Sequence, residues 1–123
     1  MANEKEIGEA FEHIQNESPG FIAISLVDID SGMTLAVRSA RPEFDLAVAS
    51  AYNSELVKQK LKIMKSLDIK SNLEDMILTL GDQIHFIKLL SPTMFIYFAA
   101  DRAGTNIAIV RNVVLKHTKT LAT

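Results

Sequence analysis

The chain predicts an α+β domain: a three-layer α/β/α sandwich around a five-stranded antiparallel sheet, in the order α-β-β-α-β-β-β-α. Three observations predict it. Short runs of apolar and β-branched residues are joined by turn residues, as in "LVDIDSGMTLAV" and "LTLGDQIHF". Helical periodicity appears near each end and again in the middle. In "TMFIYFAA", Met94, Ile96 and Phe98 alternate with Phe95, Tyr97 and Ala99, and both sets are apolar, so the sheet needs cover on both faces.

Each element can be justified in turn. Ile7, Ala10, Phe11 and Ile14 follow helical spacing, which predicts an amphipathic helix from Asn3 to about Glu17, stopped by Pro19 and Gly20. Phe21 to Asp28 and Met33 to Ser39 read as strands joined by "IDSG". Pro42 stands where a helix can start, and Glu43 and Asp45 suit the positive end of its dipole. This longest helix runs to about Leu67. Leu73 to Leu80 and Gln83 to Leu90 pair through "GD", a two-residue hairpin turn. "SPT" leads into a fifth strand, Met94 to Ala100, and "DRAGTN" into a closing helix from Thr105 to about Lys119. Residues 1–123 form one domain, with no repeat or linker and enough length to bury a core.

The middle helix has too little polar surface. Glu55, Lys58, Lys62 and Lys65 form a polar stripe, while Tyr52, Leu56, Ile63, Met64 and Leu67 lie on the opposite arc. Its first turns, from Phe44 to Tyr52, are apolar almost all round. Such a helix is covered on more than one side, and in so small a chain a partner subunit is the economical cover.

Composition excludes several function classes. Cysteine is absent, so there is neither a thiol nucleophile nor a thiolate metal site, and a reducing, cytoplasmic setting is expected. The acidic N-terminus has no secretory pattern, and the longest apolar runs are too short to span a bilayer, so no membrane insertion is expected. Net charge is -2 with lysines and arginines dispersed, which argues against nucleic acid as a partner.

The candidate chemistry is sparse. Asp28, Asp30 and Gly32 have the D-x-D-x-G spacing that opens a calcium loop, but the twelfth position is Ser39, where a bidentate Glu is required. A hairpin tip accounts for all three residues: Asp and Ser favour turns, and Gly32 can adopt positive φ. His13, His85 and His117 are isolated, without metal-ligand spacing. Serines 25, 31, 50 and 91 lack a nucleophile elbow. Gly104 precedes a helix start, where capping by Thr105 or Asn106 explains the segment without an anion. The expectation is no enzyme, no catalytic residue, no metal and no cofactor.

The element order, together with "LVDIDSGMTLAVRS", "DLAVASAYN" and "TNIAIVRNVV", resembles the roadblock family (dynein light chain, roadblock type), whose bacterial and archaeal branch includes regulators of Ras-like GTPases. The resemblance covers Asn3 to about Leu121. It implies a profilin-like sheet with the first and last helices on one face and the middle helix on the other. It also implies dimers joined through the middle helix and the strand after it, here Ala49–Met64 and Leu73–Leu80. Ala49, Tyr52, Leu56, Met64, Met76 and Leu78 are then the expected dimer or partner interface.

The implied function is a homodimeric, non-catalytic adaptor that binds and regulates a small Ras-like GTPase. Arg38, Arg41, Arg102 and Arg111 are the candidates for an arginine finger, against the commoner role of a solvated turn residue. Two other readings stand beside it. One is a small-ligand sensor of the PAS or profilin type, which the scarcity of convergent polar groups on the strands counts against. The other is a purely structural dimerisation subunit of a larger complex.

Overall fold

The computed structural model describes residues 2–121. Its elements are α1 (Glu4–Asn16), β1 (Phe21–Asp28), β2 (Thr34–Ser39), α2 (Leu46–Ser66), β3 (Asp75–Thr79), β4 (Gln83–Ser91), β5 (Met94–Asp101) and α3 (Ile107–Thr118). The expected order is the observed one.

The helix starts follow from capping chemistry. At α1 the Asn3 side chain accepts from the Glu6 amide (2.9 Å), and the Glu6 carboxylate accepts from the Asn3 amide (3.3 Å), a reciprocal box that satisfies two otherwise orphaned donors. α2 begins at Leu46, later than the Pro42 start expected. Asp45 is its N-cap, accepting from the Val48 amide at 3.1 Å, while Arg41 to Phe44 form a separate turn. α3 begins at Ile107 rather than Thr105, because Asn106 accepts from both Ala108 and Ile109. Two strands are also shorter than read: β2 starts at Thr34 and β3 spans only Asp75–Thr79.

The strands form one antiparallel sheet in the order β2-β1-β5-β4-β3. The central ladder sets Leu26 opposite Ile96 and Val27 opposite Phe95. Gly81 and Asp82 turn β3 into β4, with the Leu80 amide donating to the Gln83 carbonyl at 2.8 Å. β1 and β5 are buried almost throughout, since both faces of the sheet carry apolar side chains.

The two faces are covered unequally. On one, α1 and α3 lie side by side, and Phe11, Ile14, Val110 and Val114 close over Leu26, Phe86, Ile96 and Phe98. On the other, α2 lies across β1 and β2, burying Val27, Ile29 and Val57 with Phe95 and Tyr97. It leaves Met76, Leu78 and Leu89 of β3 and β4 only half-buried.

Candidate partner-binding surface

α2 faces the sheet with small side chains. Its buried residues are Leu46, Ser50, Ser54 and Val57. The Ser50 hydroxyl donates to the Leu46 carbonyl (2.6 Å) and lies 2.8 Å from the Ser25 hydroxyl on β1, and the Ser54 hydroxyl donates to the Ile29 carbonyl (2.5 Å). A buried hydroxyl with a partner costs little and lets the helix approach closely. The hairpin tip completes this contact. Gly32 has φ +73°, and a Cβ built there would stand 3.4 Å from Ala51 Cα. Asp28 accepts from the Ser31 amide (3.0 Å) and hydroxyl (2.7 Å), and these bonds hold its carboxyl below the usual range. The D-x-D-x-G stretch is thus a turn wedged beneath α2.

With serines turned inward, the large apolar residues of α2 point out. Val48, Tyr52, Leu56, Ile63 and Leu67 are all exposed, Tyr52 at 73%. Of the six expected interface residues, Tyr52 and Leu56 are open, whereas Ala49, Met64, Met76 and Leu78 are half-buried. Ala49, Met76 and Leu78 pack at the rim of the core beneath α2. The inward turn of the serines was the feature missed from sequence; their i, i+4 spacing with Leu46 is the signal that could have shown it.

The start of α2 adjoins the β3–β4 hairpin. Phe44, just before α2, sets its ring edge against His85 on β4 (centroids 6.4 Å apart), and His85 is the cross-strand neighbour of Leu78. His85 is held by two bonds, Nδ1 to the Tyr97 hydroxyl (3.2 Å) and Nε2 to Gln83 Oε1 (2.8 Å). The Gln83 oxygen can only accept, so Nε2 carries the proton and Nδ1 accepts from Tyr97. Burial pushes the His85 pKa down, with Asp82 opposing, and pushes the Tyr97 phenol up to about 12.

All four candidate arginines are held within the chain. Arg41 forms a two-pronged pair with Asp101, Arg111 pairs with Asp75 at 2.8 Å, Arg102 donates to the Leu80 carbonyl and Arg38 to the Gln15 side chain. Among the described residues no group of three His, Cys, Asp or Glu is placed to hold a metal ion, and no helix is long and apolar enough to cross a membrane.

No family model and no curated protein matches this chain by sequence. Solved structures do match it by fold. Myxococcus xanthus MglB is 13% identical, with a TM-score of 0.86 over 99% of this chain and 90% of its own. The chain has the roadblock fold. A Roadblock/LC7 domain from Streptomyces avermitilis matches at a TM-score of 0.80 and 13% identity over 92% of both chains. The gliding protein MglB of Thermus thermophilus matches at 0.83 and 14% identity, covering 99% of this chain and 91% of its own. At such identities the roadblock likeness rests on the course of the backbone, and this chain carries the fold on side chains largely its own.

Proposed function

We propose that the protein is a homodimeric roadblock adaptor that binds and regulates a small Ras-like GTPase. One observation carries the reading: the outward apolar stripe of α2 lies beside a half-covered sheet face that ends in the open edge of β3. A second copy of α2 fits against the first and over Met76 and Leu78, while β3 pairs with its copy and satisfies its free backbone groups. A solved MglB with a tetrameric arrangement shares the fold, which supports self-association in the same architecture.

The adaptor acts by contact rather than chemistry. With Arg41 and Arg111 in ion pairs, an arginine finger requires breaking an existing bond, so the regulation proposed is a bias on the GTPase switch segments through differential contacts with their two conformations. The test is a pull-down with the tagged protein as bait, in GDP or in a non-hydrolysable GTP analogue. Retention of a small GTPase in one nucleotide state and not the other supports regulation. Retention of a large assembly without a GTPase in either state overturns it in favour of a structural subunit.

A further inference from the structure

Four polar side chains cross the α2 face of the sheet in a line. Asn53 of α2 gives one amide hydrogen to the Ala49 carbonyl (2.7 Å), and the same side chain bonds the hydroxyl of Tyr97 on β5. The Tyr97 hydroxyl lies 3.2 Å from Nδ1 of His85 on β4, and His85 Nε2 lies 2.8 Å from Gln83 Oε1. Ser50, Ser54 and Lys58 tie α2 to Ser25, Ile29 and Asp30, on β1 or just after it. Asn53 ties it instead toward the side of the sheet that α2 leaves half-covered.

The direction of each proton in this line is fixed. A carbonyl only accepts, so the amide nitrogen of Asn53 faces Ala49, and its second hydrogen is the one offered to Tyr97. The Tyr97 oxygen accepts it and passes its own hydrogen to His85 Nδ1, which must be bare. The line is therefore complete when the His85 ring is neutral, with its proton on Nε2. A second proton, on Nδ1, would meet the Tyr97 hydroxyl donor to donor. Tyr97 is fully buried, so its hydrogen would have neither another acceptor nor water to turn to.

The surroundings act in the same direction. His85 stands between Leu78 of β3 and Ala99 of β5, with Phe44, from the turn before α2, set against its ring. These neighbours are apolar. The charged group that bears on the ring is Asp82 in the β3–β4 turn, and burial outweighs it. In the single chain the ring is half-buried, and a second copy laid over Leu78 would take its remaining water.

We propose that this line is a proton-operated catch on the dimer surface. With His85 neutral it seats α2 and lets a partner cover Leu78; a proton at Nδ1 breaks the line and weakens the dimer. The catch rests on the homodimer reading above and adds that acid reverses the contact. Because the separated copies take up the proton more readily than the dimer, the dimer is constant above about pH 6.5 and weakens as pH falls below it.

The test is sedimentation equilibrium of the full chain, with circular dichroism on the same samples. Between about pH 7.5 and about pH 5 the dimer Kd rises by at least about tenfold while helix content is kept. His85→Gln has no ring to protonate, and its Kd is the same at both. His13→Gln and His117→Gln, at the other two histidines, keep the parent's rise. Tyr97→Phe removes the hydrogen that favours the neutral ring and moves the rise to higher pH. An unchanged Kd in the parent, an undiminished rise in His85→Gln or an unshifted one in Tyr97→Phe overturns the catch and leaves the homodimer standing. A monomer at both pH values overturns the two together. Loss of helix content in step with dissociation assigns the effect to unfolding and overturns the catch as well.

Discussion

The hydroxyls of Ser25 on β1 and Ser50 on α2 lie 2.8 Å apart, both fully buried. This pair fixes how closely the middle helix rests on the sheet, and therefore which of its faces is left for a partner. Removing the Ser50 hydroxyl strands that of Ser25 without solvent, whereas Ser50 keeps its bond to the Leu46 carbonyl when Ser25 is removed. Ser50→Ala should cost about 1–3 kcal/mol in urea unfolding, Ser25→Ala less, and the double variant less than the sum. Ser50→Leu, which forces the helix outward, should cost about as much again through overpacking.

The outward stripe gives a prediction about assembly with little change in fold. Tyr52→Glu and Leu56→Lys place charges where the proposed dimer buries apolar side chains. Each should leave the monomer's thermal transition nearly unchanged, since neither residue is buried in the single chain. Each should lower the sedimentation coefficient at micromolar concentration. If both variants sediment like the parent, the interface lies elsewhere.

Gly32 tests the turn beneath α2. An alanine there must adopt positive φ and press against Ala51, so Gly32→Ala should cost about 1–2 kcal/mol. Gly81→Ala has open space and serves as the control. Asp28→Asn keeps the ability to accept from Ser31 and should leave partner binding intact, as should Asp30→Asn. Loss of binding in either single variant, with the fold retained, would assign the acids a role beyond the turn.

His85 gives a pH signature. Its pKa is lower in the folded chain than the ordinary 6.5, so the unfolded chain takes up the proton first. Its contribution to stability is therefore complete above about pH 6.5 and is lost as pH falls through the depressed folded value. The lowered carboxyls of Glu17, Asp28 and Asp101 act in the same direction only at lower pH, beneath their ordinary values of 4.5, 3.8 and 3.8. His85→Gln should flatten the pH dependence just below 6.5 and leave the acidic limb intact. Denaturant midpoints measured in steps of pH separate the two.

Much of this fold could be read from residue patterns because the physics is local. The two-residue turn at Gly81 and Asp82, the apolar alternation of β5 and the cap at Asn106 are all encoded within a few neighbouring positions. The orientation of α2 is not. Ser50 and Ser54 look like surface residues until Ser25 and the Ile29 carbonyl, far away in sequence, are brought beneath them. Of the residues expected at the interface, Tyr52 and Leu56 are open, while Ala49 and Met76 already lean on their own core.

The central ladder has a consequence for how the molecule comes into being on the ribosome. β1 and β5 pair with Phe21 opposite Ala100, so the first strand made must wait for the last. Until Met94–Asp101 has left the exit tunnel, β1 can pair only with β2, and its other edge, with apolar side chains on both faces, meets water or a chaperone. The hairpin of β1 and β2 with α2 laid across it, and then the hairpin of β3 and β4, are the pieces that can assemble early. Slow synthesis through the last third of the chain would prolong the time in which that half-built sheet is open to misassembly.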